Sequence, residues 1–216
     1  MNAREEILAR IRASSGPPSP APARDYQHAD ALSPGETLSK FADRITDYGV
    51  LVTEVADETA VADAVREICA ARGIGHLVTS PDCPGPWQPQ DVMITTDRGL
   101  SIEALAAIPA ALTGAACAIA ETGTVILDGG FAQGRRAISL LADFHLCVVF
   151  AAQIVECVPA AIAQMAPAAR AGRPFTFISG PSATADIEFD RVQGVHGPRQ
   201  LDVIIVRTGA ASAPRS

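Results

Sequence analysis

The chain has 216 residues, with 17 basic and 24 acidic side chains and a formal net charge of −7. This acidic balance, without a cluster of Lys or Arg, excludes the electrostatic footprint of a nucleic-acid-binding protein. Hydrophobic residues make up 48% of the chain and charged residues 19%, a globular composition that excludes disorder of the whole chain. Only 5% of the residues are aromatic, so the core must consist mainly of Val, Ile, Leu and Ala.

The cysteines, the N-terminus and the longest uncharged stretch indicate the cellular compartment of the protein. Five cysteines occur without C-x-x-C spacing, so no zinc cage or iron–sulfur run is visible. Cys69, Cys117 and Cys147 lie in apolar runs and are predicted to be buried thiols in a reducing compartment. The N-terminus does not resemble a signal peptide, and residues 104–120 are too rich in small residues for a spanning helix. We therefore expect a cytoplasmic protein with no membrane span and no metal site.

The first dozen residues are predicted to form a helical arm. Asn2 and Glu5 form a capping box, and Ile7, Leu8 and Ile11 then form a short apolar stripe. The Pro/Ser-rich run that follows cannot continue a helix. The chain therefore divides into an N-terminal helical arm (1–15), a Pro/Ser-rich linker (16–32), the main domain (33–208) and a polar tail (209–216). The sequence leaves open whether the arm docks on its own subunit or on another.

Helices and strands alternate in the main domain. Ser33, Pro34 and Glu36 mark the start of a helix, and Gly49 marks its end. Strands are predicted at 50–55, 76–79, 92–96, 124–127, 146–150, 175–178 and 201–206, and helices at 58–72 and 155–165. Residues 110–120 fit either a helix or a buried strand. Apolar strands separated by helices predict an α/β fold of three layers, with one mostly parallel sheet covered on both faces.

The first candidate site is the loop at 118–124, Ala-Ile-Ala-Glu-Thr-Gly-Thr. Ligands of open parallel sheets bind beyond the carboxyl ends of the strands. Gly123 permits a turn that β-branched residues cannot make, and Thr122 and Thr124 flank it. Glu121 is then held in place as a candidate base, nucleophile or hydrogen-bond acceptor. The alternative is a plain turn in which Glu121 caps a neighbouring element.

The second candidate site follows the strand at 175–178. Ser179, Gly180 and Ser182 lie in a small-residue bend, and Ser182 is predicted to be the N-cap of a helix that includes Thr184. Such a strand–turn–helix presents free N–H groups to a carboxylate or phosphate. The bend matches neither the Walker loop nor the Gly-x-Gly-x-x-Gly dinucleotide fingerprint. A capped helix start without a ligand is the alternative.

A third loop lies at 194–199, Gly-Val-His-Gly-Pro-Arg. Arg199 offers a planar fork that matches a carboxylate. His196 can exchange protons near neutral pH. Together the two side chains would complete an anion-binding pocket.

Other polar and aromatic side chains are interpreted as structural. His76 and His145 open strands, and we expect each to satisfy a nearby backbone group. Trp87 is predicted to pack on a surface loop. Arg135 and Arg136 are interpreted as a solvated pair, although they could also contact an anion or a partner.

The motifs at 118–124, 178–188 and 194–199 resemble those of the LUD-domain family, and within it the lactate-utilisation protein C branch. The resemblance spans most of residues 35–207, and the helical arm is also typical of that branch. The segment 140–145 departs from the usual form, in which a Pro precedes the strand. The resemblance implies a fold like those of ribose-phosphate isomerases and CoA transferases.

The resemblance also implies a function. It implies a part in the oxidation of L-lactate to pyruvate, together with two partner proteins that carry iron–sulfur clusters, and no cofactor in this chain. On this view Glu121 orients or deprotonates a small carboxylate ligand. The residues expected to bind that ligand are Thr122, Gly123, Thr124, Ser179, Gly180, Ser182, Thr184, His196 and Arg199. Two alternatives stay open: a free-standing CoA transferase-like or sugar-phosphate isomerase-like enzyme that uses Glu121, and a non-catalytic assembly scaffold.

Overall fold

The structure is a computed structural model that describes residues 2–14, 32–184, 192–193 and 197–209. The predicted linker, apart from Leu32, lies outside the described residues, as do His196 and the tail beyond Gly209. The helices are α1 (Ala3–Ser14), α2 (Pro34–Thr46), α3 (Val61–Arg72), α4 (Ile102–Ala106), α5 (Arg136–Leu141) and α6 (Val158–Arg170). Single 3₁₀ turns lie at Glu58–Ala60, Gly85–Trp87 and Ala151–Gln153.

The strands form two sheets and one separate pair. They are β1 (Leu51–Val55), β2 (His76–Thr79), β3 (Met93–Thr96), β4 (Ala110–Gly114), β5 (Cys117–Ile119), β6 (Thr124–Leu127), β7 (Phe144–Phe150), β8 (Ile154–Val155), β9 (Thr176–Ile178), β10 (Ala183–Thr184), β11 (Val192–Gln193) and β12 (Gln200–Val206). The ambiguous segment 110–120 therefore forms two strands.

The main sheet has six strands in the order β1-β12-β7-β4-β2-β3, and every pairing is parallel. Alternating residues of β7 lie on opposite faces. Leu146 belongs to the apolar cluster that contains α3, and Val149 belongs to the cluster that contains α2. Helices therefore cover both faces, which confirms the predicted three-layer α/β fold.

A second sheet of four strands, in the order β8-β5-β6-β9, was not predicted as a unit. β6 pairs antiparallel with β5 and with β9, and β8 pairs parallel with β5. Val125 packs into the α2 cluster, and its neighbour Ile126 packs with Ala161 and Met165 of α6. This small sheet therefore lies between α2 and α6.

The start of α2 confirms the sequence analysis. The Ser33 Oγ accepts a hydrogen bond from the Glu36 N–H at 3.4 Å, and the Glu36 carboxylate accepts one from the Ser33 N–H at 2.7 Å. This is a reciprocal capping box, and it confirms the helix start predicted from Ser33, Pro34 and Glu36. All five cysteines are buried free thiols, as the apolar runs around three of them indicated.

Three local predictions are wrong. Ser182 does not cap a helix, because Ala183–Thr184 forms β10, which pairs with β11. The helix predicted at 155–165 begins only at Val158, next to Pro159, because the residues before it are paired in β8. Trp87 is fully buried in the main core, where its Nε1–H donates to the Glu58 carboxylate at 2.8 Å.

Candidate functional site

The first and second candidate loops lie side by side. The turn at 120–123 joins β5 to β6, and Ser179 follows β9, which pairs with β6. The Thr124 Oγ1 lies 2.8 Å from the Ser179 Oγ and 2.7 Å from the Thr122 Oγ1. We call Thr122, Thr124 and Ser179 the hydroxyl triad. The antiparallel register of the small sheet thus brings together two loops that are more than fifty residues apart in the sequence.

Two glycines fix this pair of loops against the end of α2. Gly123 has a φ of +59°, and a Cβ added there would lie 2.5 Å from the Ile45 backbone nitrogen. Gly180 has a φ of +150°, and a Cβ there would lie 2.7 Å from the Tyr48 Cβ. Both positions require glycine for backbone conformation and close packing. The contacts show that both glycines pack against the end of α2 and the turn that follows it, and their predicted part in ligand binding stays a prediction.

The third loop adjoins the second. The Ser182 N–H donates to the Pro198 carbonyl at 2.8 Å, so this amide of the predicted anion cradle already has a partner. A Cβ added to Gly197 would lie 3.4 Å from the Ser182 Cβ. Direct contacts therefore join the described parts of the three motif-bearing loops, although the side chains of Thr184 and His196 lie outside what the structure describes.

Arg199 faces Asp143. Its N–H donates to the Asp143 carbonyl at 2.8 Å, and its Nε lies 3.8 Å from the Asp143 Oδ1. The two side chains are 63% and 74% exposed. Such a solvent-exposed pair contributes little stability and exchanges partners readily.

Glu121 is exposed, and its carboxylate forms no hydrogen bond or ion pair with any residue that the structure describes. Its backbone is held, because the Glu121 N–H donates to the Glu156 carbonyl at 3.0 Å. The backbone of Glu121 is therefore held in place, and its carboxylate is exposed to solvent. It can accept a proton or a hydrogen bond from a bound molecule.

A cleft of about 580 Å³ lies where β7 and β12 end, and sequence reasoning missed it. Its lining residues are Leu32, Pro34, Thr37, Ala151, Ala152, Ile154, Val155, Glu156, Ala160 and Arg207. One Glu156 oxygen accepts the Leu32 N–H at 2.9 Å, and the other is buried without a partner among the described atoms. No motif marks this cleft, because its walls come from four separate segments of the chain.

The two histidines of the main sheet bond hydroxyl groups and not the backbone groups that we expected. The His145 Nε2 lies 2.7 Å from the Thr113 Oγ1, and the His76 Nε2 lies 2.8 Å from the Thr95 Oγ1. Burial lowers the pKa of His145 to about 4. This ring is therefore neutral near pH 7 and is a structural group of the core.

Arg135 is 42% exposed, and its guanidinium is also paired with a carboxylate. Its Nε and Nη2 bind the Asp97 carboxylate at 2.6 Å and 3.0 Å, and this pairing lowers the pKa of Asp97. Arg173 pairs with Asp128 through its Nη2. The two ion pairs hold the two ends of the loop between β6 and α5.

Within the described ranges, no group of three His, Cys, Asp or Glu side chains is arranged to hold a metal ion. In the same part of the chain, no helix combines the length and the apolar character needed to cross a membrane.

The fold and the three joined loops define a LUD domain. The family model of the LUD domain matches residues 38–206, and the chain belongs to this family. The chain is 45% identical to lactate utilization protein C of Deinococcus radiodurans over 92% of its own length and 90% of that protein. It is 26% identical to the uncharacterized protein YkgG of Escherichia coli over 95% of this chain and 99% of that one.

A solved structure has the same fold. It is a DUF162 family protein from Deinococcus radiodurans, with a TM-score of 0.69 and 37% sequence identity. The match covers 81% of this chain and 99% of the solved chain. The family resemblance drawn from the three motifs is thereby confirmed.

Proposed function

We propose that this chain is a cytoplasmic subunit of a lactate-utilisation system. In it, the chain takes part in the oxidation of L-lactate to pyruvate together with iron–sulfur partner proteins. The observation that carries the proposal is the 45% identity to a lactate utilization protein C over nine-tenths of both chains. The five buried free thiols fit a reducing compartment.

We further propose that the joined loops bind a small carboxylate. The hydroxyl triad supplies neutral hydrogen-bonding groups, and Arg199 supplies a cation that can leave its exposed pair with Asp143. Glu121, next to the triad, accepts the hydroxyl proton of a 2-hydroxy acid. Oxidation to the 2-oxo acid also breaks the C2–H bond: its hydrogen leaves as a proton to solvent, and the two electrons of that bond pass to the iron–sulfur partner proteins.

Calorimetric titration tests this binding. L-lactate and pyruvate are titrated into the purified chain, alone and mixed with its iron–sulfur partners. Ser179→Ala removes one hydroxyl of the triad and is expected to weaken binding by about tenfold, the value of one hydrogen bond to a charged group. Ser39→Ala, at an exposed position on α2, is the matched control. Absence of binding in every mixture would contradict the carboxylate site.

A free-standing enzyme is the second candidate, because the Glu121 carboxylate is open to solvent and its backbone is fixed. In CoA transferase-like or sugar-phosphate isomerase-like chemistry this carboxylate would be the nucleophile or base. The chain alone would then catalyse such a reaction, and Glu121→Gln would abolish it. Activity that survives this substitution would exclude Glu121 as the reacting group.

A non-catalytic scaffold is the third candidate, because Gly123 and Gly180 pack against α2 and the triad hydroxyls bond one another. A scaffold would still capture the iron–sulfur partners when it carries both Glu121→Gln and Ser179→Ala. It would also still support lactate oxidation by the complex. Loss of oxidation with intact capture would instead place chemistry in this chain.

A further inference from the structure

Helix α1 carries an apolar face outside the core. Ile7 and Leu8 are 58% and 37% exposed, and no residue of the helix is buried. The Asn2–Glu5 capping box and the Glu6–Arg10 ion pair support the helix locally. Isolated helices of this length are marginal in water and depend on packing of one face. We therefore expect the apolar side of α1 to pack on another surface, which would stabilise the helix.

Helix α6 presents a matching surface. It carries no charged residue before Arg170, its last residue. Its inward face packs through Ala161 and Met165 on the small sheet. Val158 and Ile162, four residues apart and so on one face, are 39% and 54% exposed. A surface helix normally places charged residues outward, so this uncharged outer face is suited to burial.

We propose that α1 packs on the outer face of α6 within the same chain. The two helices match in length, at about 18 Å and about 20 Å. Residues 15–31, the tether that follows α1, lead to Leu32. Leu32 lines the same cleft as Ala160 of α6. Fully extended, such a tether spans about 55 Å, so it reaches any point on α6. Tethering also raises the effective concentration of α1 to the millimolar range, which favours its own α6 over that of another copy.

Disulfide trapping tests the contact directly. The five native thiols are buried, and burial raises the pKa of Cys69, Cys83, Cys117 and Cys147, so they react slowly. Leu8→Cys combined with Ile162→Cys is expected to form an intramolecular disulfide under mild oxidation. The rate should exceed that of two control pairs by about tenfold, because docking holds the two thiols together whereas the tether alone gives only random encounters.

The controls separate docking from random encounter. In the first, Ala9→Cys replaces Leu8→Cys and lies on the side of α1 opposite Ile7 and Ile11. In the second, Met93→Cys, on an exposed edge strand, replaces Ile162→Cys. Equal rates in the three pairs, or a covalent dimer as the main product, would overturn the proposal.

Limited trypsin digestion gives a second readout without new cysteines. Cleavage after Arg10 and Arg12 requires the arm to leave its surface and unfold. Ile162→Asp places a charge on the outer face of α6, and it is expected to speed this cleavage by about fivefold. Met93→Asp, at a similarly exposed position, should leave the rate unchanged. Cleavage at one rate in all three proteins would contradict docking on α6.

Discussion

The two sheets of this protein are stabilised in different ways. In the main sheet, β7 is buried along its whole length and β12 is buried beyond its first residue. The burial of many apolar side chains therefore stabilises this sheet. In the small sheet the strands have two to four residues, and the turns are fixed by two glycines and three hydroxyl groups. The candidate site lies in the small sheet. The residues proposed to bind a ligand thus lie where single close contacts decide the geometry.

The sharpest test of this difference is Gly123→Ala. The new Cβ would meet the α2 backbone at 2.5 Å, and the φ of +59° is unfavourable for alanine. The expected loss is about 2–5 kcal/mol, the sum of left-handed backbone strain and overpacking. Urea unfolding monitored by circular dichroism measures it.

Gly49→Ala is the control for that substitution. Gly49 has a φ of +80° and nothing within 4 Å of its added Cβ, so only backbone strain remains. This variant should lose about 1–2 kcal/mol. If the two variants are equally stable, close packing of the turn on α2 is not what fixes the site.

The main sheet is expected to respond to pH through His145. Its folded-state pKa of about 4 lies below the usual 6.5, so the unfolded chain binds a proton first as the pH falls. The contribution is complete above pH 6.5, and about 3 kcal/mol of stability is lost between pH 6.5 and pH 4. Unfolding free energies measured at pH 7, 5 and 4 report this loss.

His145→Gln keeps a partner for Thr113 and removes the titrating group. This variant should lack the part of the acid sensitivity that lies between pH 6.5 and pH 4. His76→Gln, at the strand end, should retain it because His145 is intact. An unchanged pH profile in His145→Gln would show that another group carries the effect.

The contrast between the sheets also explains what could be predicted from sequence. The strands of the main sheet are continuous apolar runs, so β7 and β12 were found within two residues of their ends. Strand β8 was missed because Ile154–Val155 is too short to carry a period. The loops were identified as important from their residues. Their contact depends on the register of β6 and β9, which no local pattern encodes.

A smaller effect is expected from Thr124→Val in the hydroxyl triad. The substitution preserves shape and removes the shared partner of Thr122 and Ser179. We expect a loss of about 1–2 kcal/mol in unfolding free energy. Thr53→Val, on the edge strand β1, is the matched control and should change stability by less than about 0.5 kcal/mol. Equal losses in both variants would remove any special role for the triad.

The smallest effect on stability is expected from Glu121→Gln. The side chain is exposed and unpaired within the described chain, so stability should change by less than about 0.5 kcal/mol. Thermal unfolding measures this directly. A large loss would mean that Glu121 holds the turn together, and its use as an open carboxylate would then be contradicted.

Growth on L-lactate tests the central claim most directly. A Deinococcus radiodurans strain that lacks its lactate utilization protein C receives this chain, either unchanged or as Glu121→Gln, Ser179→Ala or Ser39→Ala. The account predicts that the unchanged chain and Ser39→Ala restore growth on L-lactate as sole carbon source, and that the two site variants do so poorly although they fold. Failure of the folded, unchanged chain to restore growth, or full growth with both site variants, would contradict it.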